Sequence, residues 1–253
     1  MLLVISPAKS LELEKPFPTD LLSMPVFEKE PHTLISKLKK LKQNDIQRIF
    51  GLSEKLAELN YKRFQEFEND NTIQRPAIFT FDGDVYSGLD AFTLKKTQLN
   101  YAQNQIRILS GLYGILKPLD LIKPYRLEMG TKIAFGKTPN LYHFWKEKIT
   151  MEVNKTLDEN NHQALINLAS IEYFSAIDPK KIKKPIIQCE FLEKKDADYK
   201  NISFFSKKAR GLMTRFVLDM KIEKTDHLKA FDYENYMFNT SLSSTSKYIF
   251  TRG

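Results

Sequence analysis

Cysteine, histidine and glycine are scarce in this chain, and each scarcity removes a class of chemistry. A single cysteine, Cys189, excludes an intramolecular disulfide. It falls in the strand-like run Ile186–Phe191, where a buried, inert thiol is expected. A peroxide-reactive thiol would need exposure and a depressed pKa. The four histidines, His32, His143, His162 and His227, show no ligand spacing to one another or to Cys189. No metal site, haem or iron–sulfur ligation is expected from them. Walker loops, dinucleotide fingerprints and serine elbows are absent, so no cofactor is expected. The opening residues are apolar only as far as Ile5, and Pro7 and Lys9 end the run. That is too short for a signal h-region or a membrane span. A buried first strand and a cytosolic location, with no membrane partner, are the expectations. No repeat, low-complexity tract or Gly/Ser linker divides the chain, which predicts one domain over residues 1–253.

What is present is the composition of a folded protein. Of 253 residues, 42% are hydrophobic and 28% charged, enough for one sizeable core. The mean hydropathy is −0.40. Lys and Arg number 39 against 31 Asp and Glu, a net charge of +8. Between Pro179 and Arg215 stand eleven Lys/Arg and four acids, so nearly the whole excess lies in one segment. Such a segment suits a polyanion, although lysines decorating loops would give the same count.

Local patterns predict a mixed α/β (α+β) chain. Residues 2–6 read as a buried strand, and the prolines of 10–31 as an irregular connection. Leu34, Ile35, Leu38 and Leu41 recur at helical spacing, and a second short helix precedes Gly51. Ser53 is placed to cap a third, carrying Leu56, Leu59, Phe64 and Phe67 inward. Ala77–Phe81 reads as a strand before a turn. Residues 99–110 read as helix, with Ile106–Leu109 open to a strand reading. Asn140 is placed to cap a helix carrying Trp145. Ala164–Ala169 reads as a central strand, 186–191 and 201–205 as two more around a hairpin near Lys194–Asp198, and Tyr248–Phe250 as the last. Ser206 is placed to cap a helix with Ala209, Leu212, Met213, Phe216, Val217 and Met220 inward.

Three places could carry chemistry. At the Ser206 helix start, Lys207, Lys208 and Arg210 would oppose the macrodipole, with Arg215 further along. A bound anion would offset them, and solvated side chains are the bland alternative. The second place is Leu109–Asp120, where Gly111 and Gly114 allow a turn that brings backbone N–H groups to a phosphate, supported by Lys117. A structural turn explains the glycines equally well. Downstream, Tyr125 and Arg126 could hold a phosphate and stack a base, or Arg126 could pair with Glu128. The third place is the set of strand ends, Ser6–Lys9, Asp82–Gly88 and Ala169–Phe174. In one cleft, Ser6, Lys9, Asp84, Tyr86, Ser170, Glu172 and Tyr173 would look like an enzyme pocket.

Several long blocks carry a resemblance: LLVISPAK at 2–9, FDGDVYSGL at 81–89, ILSGLYGILKPLDLIKPYRLEMG at 108–130, INLAS at 166–170 followed by EYF at 172–174, and KKARGLMTRF at 207–216. In these the chain resembles the YaaA family along nearly its whole length. The resemblance implies a compact, cantaloupe-like mixed α/β domain and a role in peroxide resistance by limiting intracellular iron and oxidative DNA damage. It also implies structure-selective, sequence-independent DNA binding in a positive cleft through a helix-hairpin-helix-like element, which maps onto Leu109–Leu116. Ser110 stands there where the element's pattern has proline. The resemblance carries over no catalytic residue and leaves the oligomeric state open. Two functions therefore stand side by side. One is a DNA-binding stress protein using Lys9, Gly111, Gly114, Lys117, Arg126, Ser206, Lys207, Lys208, Arg210 and Arg215. The other is an enzyme acting on a nucleotide or other phosphorylated molecule in the same basic cleft.

Overall fold

A computed structural model describes residues 1–136 and 138–253. The chain opens with β1 (Leu2–Ile5) and β2 (Ser10–Leu11), then three helices, α1 (Lys29–Leu38), α2 (Gln43–Phe50) and α3 (Glu54–Glu66). Next come β3 (Arg75–Pro76), α4 (Ala77–Thr80), β4 (Phe81–Asp82), α5 (Asp84–Leu89) and α6 (Lys96–Gln105). The strands β5 (Ile106–Ser110), β6 (Gly114–Leu116) and β7 (Leu121–Ile122) precede the long helix α7 (Leu141–Glu159). The remainder is β8 (Leu165–Asn167), α8 (Ile171–Phe174), β9 (Ile186–Lys195), β10 (Asp198–Lys200), α9 (Ser203–Met220), β11 (Met237–Phe238) and β12 (Lys247–Arg252).

One eight-stranded sheet holds the fold together, in the order β11-β12-β9-β8-β1-β5-β6, with β10 attached to β9. The pairings among β5, β1, β8, β9 and β12 are parallel, while β6, β10 and β11 pair antiparallel at its margins. Taken in chain order, the five parallel strands lie as 2-1-3-4-5, the order of a doubly wound sheet. The chain leaves β1 for β5 on one side and then crosses to β8 on the other. The topological switch point therefore falls between β1 and β8, where such sheets hold ligands beyond the carboxyl ends of the strands. β1 is buried along its whole length, as its unbroken apolar run predicts for a central parallel strand.

The caps at Ser53 and Asn140 form as expected: Ser53 Oγ accepts from the Leu56 N–H at 3.4 Å, and Asn140 Oδ1 from the His143 N–H at 3.0 Å. Other expectations need correction. Ala77–Thr80 is one helical turn, with the Ala77 and Ile78 N–H groups donating to the Asp120 and Pro118 carbonyls. Four apolar residues in a row suit a buried turn as well as a strand. Leu56, Leu59 and Met220 face solvent, while Phe64, Phe67 and Phe216 carry the burial of their helices. Of the run at 201–205, Ser203–Phe205 open α9, and the strand before it ends at Lys200. Residues 99–110 divide at Ile106 into α6 and β5.

Cys189 is fully buried in β9, and burial pushes its thiol up to about 12. Ellman's reagent should leave the native chain unlabelled and react only on unfolding; rapid labelling of folded protein would contradict this placement. His162 is also buried, and its Nε2–H donates to the Asn104 carbonyl at 2.9 Å. Desolvation lowers its pKa to about 4. Because the unfolded imidazole titrates near 6.5, the unfolded state binds the extra proton between those values. This residue's contribution to stability is therefore complete above pH 6.5 and is lost as pH falls toward 4. A His162→Gln chain should show a shallower fall in denaturant midpoint across that range, and an unchanged slope would refute the assignment.

Candidate functional site

The loops after β1 and β8 meet at the switch point. The Ser170 N–H donates to Ser6 Oγ at 2.9 Å, and the two hydroxyls lie 3.3 Å apart. Tyr86 is buried beneath them and donates its hydroxyl to the Ser6 carbonyl at 3.1 Å. Burial raises its pKa well above the ordinary value, so it stays protonated and acts as a fixed donor. Ser170 also caps α8, accepting from the Tyr173 N–H at 3.4 Å. These contacts hold two strand ends and α5 in one place.

Above them opens a cleft of about 370 Å³, within the range of small-molecule sites. Ser6 and Lys9 enter it from the β1 end, Asp84 from α5, Ser170, Glu172 and Tyr173 from the β8 end, and Lys207 and Arg210 from α9. The strand ends singled out in the sequence thus converge. Glu128 and Asp82, not singled out as cleft residues, line it too. Glu128 is reached by a loop outside any helix or strand, so no periodicity marks it.

The helix α9 reaches the cleft because it crosses α5 at very short range. A Cβ on Gly88 would lie 2.2 Å from the Lys208 carbonyl oxygen, and one on Gly211 would lie 1.9 Å from the Val85 oxygen. Only two bare glycines admit that approach. It sets Lys207 Nζ 3.9 Å from Asp84 Oδ2. Lys9 Nζ stands 3.7 Å from Glu128 Oε1. Both contacts are long and both lysines are more than half exposed, so each can swing to an incoming anion at little cost. Glu172 is held differently, its Oε1 accepting from the Gly130 N–H at 2.9 Å. Arg210 stands out among the cations. Among the described residues its Nε is buried without a hydrogen-bond partner. Burial lowers its pKa, and Glu190 opposes this only in part.

The remaining sequence candidates sit elsewhere. Ser206 is not a cap: α9 begins three residues earlier at Ser203, and the Ser206 hydroxyl is buried, accepting from Asn201 Nδ2 at 3.1 Å. Lys207, Lys208 and Arg210 therefore lie beyond the first turn, where the helix dipole calls for no anion to offset them. Arg210 earns its place by burial instead. Lys208 pairs with Glu234 at 2.5 Å. Arg215 clamps helices together, bridging Asp219 at 2.9 Å and donating to Thr93 Oγ1 at 2.6 Å. Arg126 takes the Glu128 carboxylate at 2.9 Å, as its bland reading had it. Lys117 is exposed and lines a different depression beside α7. Gly111 and Gly114 lie in a β-hairpin joining β5 to β6, so the flanking elements are strands rather than two helices. Both are buried: a Cβ would meet the Leu127 oxygen at 2.0 Å from Gly111 and the Trp145 ring at 2.6 Å from Gly114. Their bareness serves this packing.

The basic segment is also divided. Lys180, Lys181, Lys183 and Lys184 precede β9, while Lys194, Lys195 and Lys200 follow at its far end. Ten residues of strand separate the two groups by roughly 30 Å. Only the second group shares the cleft's edge of the sheet. Among the described residues no three His, Cys, Asp or Glu side chains are placed to hold a metal ion, and no helix is long and apolar enough to cross a membrane.

The family model described as peroxide stress protein YaaA matches residues 1–242. A UPF0246 protein of Flavobacterium psychrophilum is 49% identical over 254 residues, covering 100% of each chain. One of Flavobacterium johnsoniae is 48% identical with the same coverage. Another, from Aliivibrio fischeri, is 46% identical over 100% of this chain and 98% of its own. With a matching model over almost every residue and relatives aligned end to end, the chain belongs to the peroxide stress protein YaaA family.

Proposed function

We propose that this chain serves the peroxide response by holding a phosphorylated, nucleotide-sized ligand in the cleft at the switch point. The observation that carries this reading is Arg210, a largely buried guanidinium whose Nε lacks an acceptor among the described residues, beside two loosely paired lysines. A buried donor without a partner costs about 1–3 kcal/mol, and a phosphate against the guanidinium supplies the counter-charge it lacks. Glu172 and Asp84 then face the remainder of the ligand, where they accept from hydroxyl or amino groups. Tyr173 and Val85 give it an apolar wall.

DNA is the second reading, and one observation favours it. The β9–β10 hairpin carries exposed Lys194, Lys195 and Lys200 at the cleft's edge of the sheet, exposed Tyr199 pairs across it with Lys194, and exposed Phe204 follows four residues after Lys200 in α9. Phe204 and Lys207 are three apart on α9, so this basic, aromatic surface runs up to the cleft mouth. The cleft is too small for a duplex, so DNA would present one displaced nucleotide to it, which fits a preference for distorted DNA. An effect of such a protein on cellular iron would be downstream of this binding.

Thermal shift with nucleoside monophosphates, and fluorescence anisotropy with short single-stranded and mismatched duplex DNA, separate the two. Stabilisation by a free nucleotide supports the first reading. DNA binding that falls steeply with salt and resists competition by free nucleotide supports the second. If neither ligand binds, or if both bind an Arg210→Met chain normally, the cleft is not the site.

A further inference from the structure

We propose that a groove behind the Arg126–Glu128 pair is a second anion site, built for a phosphate or carboxylate carried on an apolar body. It is independent of the ligand assigned to the cleft. The groove encloses about 520 Å³ between α3, the 69–73 loop and Pro124. Among the described residues its one basic lining residue is Arg63, on α3.

The cations around it are unevenly paired. Glu128 is the acceptor for two cations, taking Arg126 through Nε at 3.1 Å and Nη2 at 2.9 Å and facing Lys9 at 3.7 Å. Lys123 spends its Nζ on the Phe67 and Asn69 carbonyls, at 2.6 and 3.2 Å. Arg63 is left without an acid partner among the described residues, although Glu66 lines the same groove. It is partly buried, and both desolvation and the neighbouring Arg126 charge disfavour its charged form. Arg126 already has Glu128 as its counter-ion, whereas Arg63 has none among the described residues, and a partly buried guanidinium so placed favours a bound anion. The opposite wall is apolar and wet: Leu59 is 41% and Ile73 45% exposed, with Leu13 and Pro124 beside them. Asn69, Asn71 and Thr72 add polar groups at the rim. A cation facing an exposed apolar wall selects an anion with a hydrophobic body over a bare inorganic one.

The probes are inorganic phosphate and phenyl phosphate, compared with sodium chloride at matched ionic strength, in thermal shift and titration calorimetry. Phenyl phosphate at about ten times its Kd is expected to raise Tm by about 3 °C, with inorganic phosphate weaker and chloride inert. Because the cleft also takes phosphate on the reading above, the decisive chains are Arg63→Met and Arg210→Met. The Arg63→Met chain should lose the preference for phenyl phosphate over phosphate and, without any anion, melt no lower than the parent. The Arg210→Met chain should keep that preference. A response that survives Arg63→Met and vanishes in Arg210→Met assigns all anion binding to the cleft and overturns the groove. No preference for phenyl phosphate in the parent overturns it as well. If Arg210→Met alone leaves all binding intact, the groove stands and the cleft reading fails.

Discussion

An Arg210→Met chain is expected to be more stable than its parent and to bind phosphorylated ligands far more weakly. Both effects come from one buried guanidinium. Without ligand, the side chain pays desolvation with no acceptor at Nε. Methionine keeps the helix propensity and the apolar stem while removing the orphaned donor. A gain of about 1 kcal/mol follows, which in a chain of this length raises Tm by roughly 2–4 °C. With ligand, the same substitution removes the cation with the least competition for an incoming phosphate. Truncating one member of a desolvated charge pair weakens binding by roughly thirtyfold or more. The two measurements check each other. A stabilised chain with intact binding would make Arg210 a packing residue only, and a destabilised chain would mean that its stem rather than its charge is what the cleft wall needs.

The second large effect is expected at Gly211. An alanine methyl there would fall 1.9 Å from the Val85 oxygen and 2.8 Å from the Leu89 nitrogen, both backbone atoms that no rotamer change can clear. The helices α5 and α9 must move apart, at a cost of about 3 kcal/mol, although alanine favours the helix itself by up to about 1 kcal/mol. Separation also draws Lys207 and Arg210 away from Asp84 and the strand ends. Gly211→Ala should therefore lower the denaturant midpoint and abolish ligand binding together. Gly51→Ala is a useful contrast. Gly51 has open space around it and a φ of +61°, so its alanine is strained locally but leaves the cleft in place. A Gly211→Ala chain with parental stability would show that the crossing has room to spare.

How much of this was legible beforehand depends on how local each signal is. The strand at Leu2–Ile5, the caps at Ser53 and Asn140 and the hairpin after Lys194 announce themselves within a few residues, and they are where expected. Short apolar runs misled: Ala77–Thr80 is helical and Phe204–Phe205 open α9, because four or five apolar residues do not define a period. The cleft was half legible. Small and polar residues at three strand ends marked Ser6, Lys9, Asp84, Ser170, Glu172 and Tyr173. Their meeting required β1 to lie between β5 and β8, and strand order leaves no trace in local pattern. The glycines at 111 and 114 fit a phosphate-approaching turn and a structural turn equally well in sequence, and what they face, the Leu127 backbone and the Trp145 ring, is contact far along the chain. Burial of Arg210 was equally invisible, since a lysine- and arginine-rich helix start reads as solvated until its neighbours are known.

The length of β9 has a practical consequence for anyone purifying or assaying this protein. It places one group of lysines at each end of a ten-residue strand, and only one end adjoins the cleft. A cation-exchange or heparin matrix will grip either end. Changing one cleft residue alters the net charge of +8 by a single unit. Retention on such a column will therefore look much the same for a chain that binds its ligand and for one that has lost the site. Only competition between a defined ligand and a generic polyanion such as heparin, in solution, distinguishes the two.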